Sequence, residues 1–459
     1  MVNPARACWD SIFFDTLLIL EKFMYRSAAL ILLLSTTLPS WAQTLSQTLA
    51  NGMKVIVKED RRAPVAVTQL WYKVGSVDEQ PGKTGLSHAL EHMMFKGTPA
   101  VPSGEFSRRI SAMGGSLNAY TNRNETVYFQ TVAAKRLPEV LEMEADRMVN
   151  LNFSDSEFDN EMSVIREERR QRTEDTPGGK MWEQIYQSSF QTPANRAPVI
   201  GYMDDLFRLK GEDLRRWYRQ WYAPNNAVLV VVGDVDAASV LQTAENLFGH
   251  IPARELAGRN NLQETAKRTP AEAETTALTR QPLLALSYRV PGLEKLGDKM
   301  PYALDMLSNI LSGNSASRLD KNLVRGKQAA LDIGANYDML SREMPLFNII
   351  AMPAEGTDTR ALQALIEAEI ADIAANGIKA DELKRVRNLA AASEIYAKDS
   401  MSSQASVIGK LETRGFSHRD EAELRRRLQA VDSADIQAAA KLLVPERRSV
   451  VVVNPQVSE

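Results

Sequence analysis

The sequence predicts an α+β protein, a tandem of two similar domains, each with helices packed against a largely antiparallel sheet. First, removal of an N-terminal signal would leave about 415 residues, too many for one hydrophobic core. Second, the chain repeats itself, since residues 64–76 (PVAVTQLWYKVGS) resemble residues 282–292 (PLLALSYRVPG). Third, an acidic helix start, a proline and a valine-rich strand occur in that order at 212–234 and again at 434–453.

The repeat and the composition set the domain limits. We expect residues 43–252 to form the first domain and residues 281–459 the second. Between them, residues 253–280 are charged and poor in large apolar side chains, a composition typical of a linker. Both domains mix apolar strands with amphipathic helices, such as those at 359–373 and 381–395, which favours helices packed on a sheet.

Residues 24–42 (MYRSAALILLLSTTLPSWA) are typical of a secretory signal peptide. Arg26 supplies the charged start, residues 28–34 the apolar run, and residues 40–42 the small-x-small cleavage site. The apolar run is too short to span a membrane, so we expect no stable membrane anchor, with an uncleaved signal as the alternative. The signal predicts translation from Met24 and a periplasmic location.

The charge balance gives no indication of a polyanionic partner. The chain has 55 basic and 58 acidic side chains, which give a net charge of −3 with neutral histidines. Because neither sign dominates, nothing in the composition indicates nucleic acid or an anionic membrane as a partner.

Two of the four histidines lie four residues apart, in the unit His88-Ala89-Leu90-Glu91-His92. On a helix, residues i and i+4 project from one face, so both imidazoles could bind one metal ion with Glu91 beside them. Zinc hydrolases use three protein ligands and a water whose pKa falls to about 7, and a neighbouring carboxylate can take its proton. The order H-x-x-E-H is that of a zinc-peptidase motif. The alternative is a chance pair of solvated or core histidines.

A third ligand is expected on another helix, and residues 158–172 (FDNEMSVIREERRQR) offer Glu161, Glu167 and Glu168. Glu161 and Glu168 are seven residues apart, which is two helical turns, so they share a face, whereas Glu167 is rotated away. Spacing therefore leaves Glu161 and Glu168 as candidates. A solvated, charge-rich surface helix is the alternative.

Three stretches form one pattern: GLSHALEHMMFKGT (85–98), GGSLNAYTNRNETVYF (114–129) and an E-x6-E pair (161–168). By this pattern the chain resembles the pitrilysin, insulysin and mitochondrial processing peptidase family of zinc metallopeptidases, and the resemblance covers nearly the whole chain after the signal. It implies a processing-peptidase-like fold with Zn²⁺ as the cofactor.

The resemblance also implies a role for each residue of the site. His88, His92 and Glu168 would be the zinc ligands, and Glu91 would be the general base. Glu161 would support the site by orienting a ligand without touching the metal.

Ser116–Thr121 alternates as a strand does, and residues 122–125 form a turn before a second strand, which alone predicts an ordinary hairpin. In similar enzymes this first strand is an exposed edge on which the substrate lies as an added strand. The resemblance therefore implies peptide substrates bound along Asn118, Ala119 and Tyr120, with Asn118 near the scissile carbonyl.

The second domain has lost the metal motif. In each repeat the first apolar strand is followed by a helix that ends at a glycine, Gly97 or Gly313. Aligning these glycines sets His88, Glu91 and His92 opposite Leu304, Leu307 and Ser308.

The chain also departs from the family at the substrate carbonyl. In members that cleave peptides, two tandem halves face each other, and the half opposite the zinc contributes an arginine and a tyrosine seven residues apart. Here Arg325 matches as a candidate carbonyl-binding residue, but Asp332 replaces the tyrosine and Tyr337 falls five residues too late. An ionised aspartate cannot donate to an oxyanion. We therefore expect a heterodimer with a similar two-domain subunit that lacks the zinc motif. A homodimer, in which Arg325 suffices or the loop realigns, is the alternative.

These features predict a secreted, periplasmic zinc-dependent endopeptidase that hydrolyses short or unfolded peptides by metal-activated water. The alternative is a non-catalytic structural or peptide-binding subunit of a processing-peptidase-like complex. The complete set of ligand candidates favours the enzyme.

Overall fold

Strands and helices are interspersed along both halves of the chain. The computed structural model describes residues 44–264 and 271–456, and the signal predicted at 24–42 lies outside the described residues. The strands are β1 (Thr44–Thr48), β2 (Lys54–Glu59), β3 (Val65–Tyr72), β4 (Ser116–Thr121), β5 (Thr126–Ala133), β6 (Ala227–Gly233), β7 (Ala271–Ala277), β8 (Leu283–Arg289), β9 (Ala330–Asn336), β10 (Leu346–Pro353) and β11 (Arg448–Pro455). The helices are α1 (Leu86–Met93), α2 (Glu105–Ala112), α3 (Leu137–Asn150), α4 (Asp155–Arg169), α5 (Pro177–Ser189), α6 (Pro193–Arg196), α7 (Met203–Arg208), α8 (Gly211–Trp221), α9 (Ala237–Phe248), α10 (Lys299–Leu311), α11 (Thr359–Asn376), α12 (Ala380–Asp399), α13 (Met401–Thr413), α14 (Glu421–Ala430) and α15 (Ser433–Ala440). Among these helices, none combines the length and the apolar character that a membrane crossing requires.

The two sheets repeat one strand order. Within the described residues, the first sheet has the order β1-β2-β6-β3-β5-β4 and the second has β7-β11-β8-β10-β9. Each contains one parallel pair, β2 with β6 or β7 with β11, and the other neighbours are antiparallel. The prediction of two similar domains with largely antiparallel sheets is confirmed, and β4 and β9 occupy corresponding edges.

The prediction of a linker over residues 253–280 is wrong in part, because β7 lies within it and pairs with β11 in parallel. Side chains of β7 (AEAETTA) alternate between partly buried and exposed positions. An edge strand with one solvated face needs few large apolar residues, and its composition therefore resembles that of a linker.

Helices cover both faces of each sheet. On one face of each sheet, the covering helix comes from the other half of the chain. β6 (AVLVVVG) is buried at every position because of this double cover. On one face Val231 packs into the core that contains α1 and α8, and on the other Val230 packs with Ile408 of α13. In the second sheet, Ile185 of α5 packs with Val451 of β11. The two halves therefore exchange covering helices, which the domain limits did not anticipate.

Changing Gly409 to Ala should weaken the packing of α13 against the first sheet. Gly409 of α13 lies against the buried Trp71 of β3, where a Cβ would stand 2.0 Å from Trp71 Cε2. We expect the free energy of unfolding to fall by about 1–3 kcal/mol or more, as for other overpacked cores, in a urea titration. Gly178→Ala in α5 is the control, since its Cβ would meet no atom within 4 Å. Equal stability of the two variants would contradict the close contact.

Candidate metal centre

The helix α1 carries the H-x-x-E-H unit, as the spacing predicts. Its N-cap, Gly85, has φ of +90°, a left-handed conformation that favours glycine. The Glu79 carboxylate accepts the backbone N–H groups of Gly85 and Ser87, each at 2.7 Å, and so satisfies donors that a helix N-terminus leaves unpaired. Leu90 is fully buried beneath the helix. Local sequence and packing thus fix the face that α1 presents.

His88, His92 and Glu168 converge, with one potential ligand atom from each lying within 4.8 Å of the others. Glu168 Oε2 is 3.7 Å from His88 Nε2 and 3.4 Å from His92 Nε2. Two imidazoles and one carboxylate form the donor set of a catalytic zinc site with an open position. Of the two glutamates that the spacing left as candidates, Glu168 is the one whose carboxylate lies near the Nε2 atoms of both imidazoles.

Glu161 and Glu167 occupy different places on α4. Glu161 Oε1 is 2.9 Å from His92 Nδ1, and Lys96 forms an ion pair with the same carboxylate. This contact leaves His92 Nε2 directed toward Glu168, as a residue that orients a ligand should. Glu167 is outside the cluster and pairs with Arg170 at 3.1 Å.

The two imidazoles have opposite pKa shifts. Burial lowers the pKa of His88 to about 4. Burial also opposes a charge on His92, but the hydrogen bonds of its ring to Glu161 and Glu168 outweigh burial and raise its pKa to about 9. The hydrogen bond with His92 lowers the pKa of Glu168. Near neutral pH the cluster without a metal holds one proton on His92, where a metal cation would compete with it.

Glu91 faces a cleft of about 1060 Å³ lined by residues of α1, α4 and β4. Its carboxylate Oε2 accepts a hydrogen bond from the Thr121 hydroxyl at 2.6 Å. Burial raises the pKa of Glu91, and the bond from Thr121 opposes that shift. A carboxylate of raised pKa beside a metal cluster can both accept and return a proton.

β4 borders the same cleft as the edge strand of the first sheet, and its described strand partner is β5. Asn118, Ala119 and Tyr120 line the cleft, and the Ala119 N–H donates to Asn118 Oδ1 at 2.9 Å. An edge strand offers backbone donors and acceptors to a further strand. The structure therefore places the three predicted substrate-binding residues beside the cluster.

Three neighbours of the site were missed from the sequence. Arg172 pairs with Glu168 Oε1 at 2.9 Å, and Lys96 pairs with Glu161. Arg172 is four residues after Glu168, so the i,i+4 rule could have found it. Thr121 lies on β4. Strand periodicity predicts the face of the sheet on which its side chain lies, but it does not predict the contact of that side chain with α1.

The second half contains no such cluster among its described residues. Leu304, Leu307 and Ser308, the counterparts of the motif, are buried on α10. Their side chains belong to the interior of the second half, which has a core of its own.

Arg325 and Asp332 lie near the free edge of the second sheet. The Arg325 guanidinium binds the Ser315 carbonyl, and Asp332 is exposed on β9. Tyr337 is buried, and its hydroxyl donates to the Pro291 carbonyl at 2.6 Å. Tyr337 is therefore engaged within its own half.

The doubled α+β fold and the His-His-Glu cluster with an adjacent carboxylate define the class of metal-dependent peptidases. The chain belongs to peptidase family M16, since residues 54–200 match the insulinase (peptidase family M16) model and residues 208–390 match the peptidase M16 inactive domain. The zinc protease PqqE of Helicobacter pylori is 31% identical over 354 residues, which cover 74% of this chain and 77% of the relative. The uncharacterized zinc protease YmxG of Bacillus subtilis is 27% identical, with 89% and 97% covered.

Solved structures share the fold. A protease from Helicobacter pylori has a TM-score of 0.85 at 26% identity, over 90% of this chain and 100% of that one. The first half of the periplasmic protease PqqL from Escherichia coli has a TM-score of 0.73 at 22% identity, over 91% and 92%. The family resemblance expected from the three sequence strings is confirmed.

Proposed function

We propose that this chain is a periplasmic zinc-dependent endopeptidase that hydrolyses short or unfolded peptides. The observation that carries the proposal is the convergence of His88, His92 and Glu168 beside Glu91, in a cleft bordered by a free strand edge. Zn²⁺ is the cofactor, supported by this donor set and by the zinc proteases among the relatives. The periplasmic location rests on the signal sequence at 24–42.

Each part of the site has its own chemical role. His88, His92 and Glu168 hold the zinc ion, which when bound polarises the scissile carbonyl and lowers the pKa of water to about 7. Glu91 takes a proton from the attacking water and passes it to the leaving amine. β4 binds an extended peptide by main-chain hydrogen bonds, which require no particular sequence but do require a substrate segment free of its own strand partners.

We further propose that the active form is a heterodimer with a similar two-domain subunit that lacks the zinc motif. Asp332 at the tyrosine position supports this, because an ionised carboxylate cannot stabilise an oxyanion. The hydrogen bond of Tyr337 to Pro291 also supports it, since that hydroxyl is already in use. The partner supplies the intact arginine and tyrosine pair.

A metal assay and a peptide digest test the function together. The mature chain, prepared with excess zinc, should hold about one zinc ion and cleave members of a library of short peptides at internal bonds, slowly by itself and faster with the proposed partner subunit. A chelator should stop cleavage, and added zinc should restore it. A chain that binds no zinc after this preparation would favour the non-catalytic subunit instead.

Zinc uptake at pH 7 should displace about one proton per ion from the protein. His88, with a pKa of about 4, is already neutral, whereas His92, with a pKa of about 9, must lose a proton to bind. Below about pH 7 the zinc affinity should therefore rise about tenfold per pH unit, and between pH 7 and pH 9 it should rise more steeply because zinc-bound water would also ionise. Calorimetry in buffers of different ionisation enthalpy counts the protons.

Glu161→Gln is the matched variant for this measurement. It removes the carboxylate that holds the proton on His92, so fewer protons should be released at pH 7. Zinc binding by the unmodified chain without any proton release would mean that His92 is neutral, contrary to the raised pKa.

A further inference from the structure

We propose that Thr121 is a positioning residue that fixes the Glu91 carboxylate for proton transfer, a role that rests on the proposed peptidase function. The Thr121 hydroxyl donates to Glu91 Oε2 at 2.6 Å. Among the described residues, no other group hydrogen-bonds to this carboxylate. A glutamate side chain that faces an open cleft has several rotatable bonds, so a single donor can decide where its oxygens lie.

Thr121 is itself held in place at the end of β4. It pairs across the hairpin with Thr126 of β5, and the two hydroxyl oxygens are 3.4 Å apart. The Thr126 hydroxyl is fixed in turn by a hydrogen bond of 3.0 Å to the Val74 carbonyl. The position of the Thr121 hydroxyl is therefore fixed by the pairing of β4 with β5.

The turn after Thr121 is fixed by the second half of the chain. Arg123 forms a buried ion pair with Glu343 at 2.6 Å, and Glu125 forms another with Arg414, the residue that follows α13. Both pairs are almost completely excluded from solvent, where opening them would leave uncompensated charges at a cost of several kcal/mol. The second half of the chain therefore fixes the turn that follows Thr121, and with it the position of the Thr121 hydroxyl.

The geometry leaves one oxygen of Glu91 for chemistry. Oε2 accepts the Thr121 hydroxyl, and Oε1 has no hydrogen-bond partner among the described residues. A general base must have an acceptor within hydrogen-bond reach of the proton that it takes. Thr121 is not one of the three clustered residues, and its hydroxyl acts on the reaction through Glu91.

Two substitutions separate the hydroxyl of Thr121 from its methyl group. Thr121→Val keeps the shape and removes the donor, whereas Thr121→Ser keeps the donor and removes a methyl group. In the zinc-loaded enzyme we expect Thr121→Val to lower kcat about tenfold with KM within about twofold, and Thr121→Ser to keep kcat within about twofold. A packing role would give the reverse order. Thr131→Val on β5 is the control for a threonine-to-valine change in the same hairpin.

Crystal structures of the metal-free variants provide a readout that does not depend on activity. The Glu91 carboxylate should keep its place in Thr121→Ser and move or become disordered in Thr121→Val. An unmoved carboxylate, or equal kcat for Thr121→Val and the unmodified enzyme, overturns the proposal. If the unmodified enzyme cleaves no peptide even with its partner subunit present, the proposed function fails, while the position of Glu91 in the two structures still decides the role of Thr121.

Discussion

Changing Glu91 to Gln should abolish peptide hydrolysis while zinc remains bound. The amide cannot take a proton from water, and general acid–base groups contribute about 10²–10⁴-fold to such rates. His88, His92 and Glu168 are untouched, so the variant should still hold about one zinc ion per chain. We expect kcat/KM for a fluorogenic peptide to fall by about 10³-fold or more, with an unchanged metal content by atomic absorption.

Glu167→Gln is the matched control for this prediction. Glu167 lines the same cleft but lies outside the cluster and pairs with Arg170, so its neutralisation should leave kcat/KM within about twofold. Full turnover by a purified Glu91→Gln sample would refute the proposed mechanism, and loss of zinc from that variant would show that Glu91 also helps to retain the metal.

Changing Asp332 to Tyr should raise the peptidase activity of the isolated chain. The substitution restores a hydroxyl donor seven residues after Arg325, on the exposed edge strand β9. One donor to the developing oxyanion is worth about 10²–10³ in rate. We expect kcat to rise by up to about this factor, since one copy of the chain would then supply to another the donor that we assign to the proposed partner subunit.

Leu331→Tyr is the control, because Leu331 is also exposed on β9 but projects to the opposite face of the strand. It should add a tyrosine without raising the activity. A homodimer of the unmodified chain that already runs at full rate, and that gains nothing from a partner or from Asp332→Tyr, would exclude the heterodimer.

Local periodicity predicted the parts of the site that depend on one element. The i,i+4 spacing put His88 and His92 on one face of α1, and strand alternation predicted β4 and its hairpin. The choice between Glu161 and Glu168 could not be made in this way, because both face the same side of α4. It depended on how α4 crosses α1, which is a tertiary contact.

Features that depend on distant segments were not predictable from the sequence. β7 resembles a linker because it is an edge strand with alternate positions exposed, and its partner β11 lies more than 170 residues away in the sequence. The hydrogen bond between Thr121 and Glu91 joins residues thirty positions apart. Nothing in either local sequence specifies such a pair, since each is compatible with many packing arrangements.

The exchange of covering helices makes the two halves of the chain mutually obligate. An isolated first half would turn the valine-rich face of β6 toward water, and an isolated second half would expose Val451 in the same way. Loss of the helix from the other half would leave an exposed apolar face on either sheet, and such faces favour aggregation. We therefore expect the two halves to unfold together, because the loss of either one removes a covering helix from the sheet of the other.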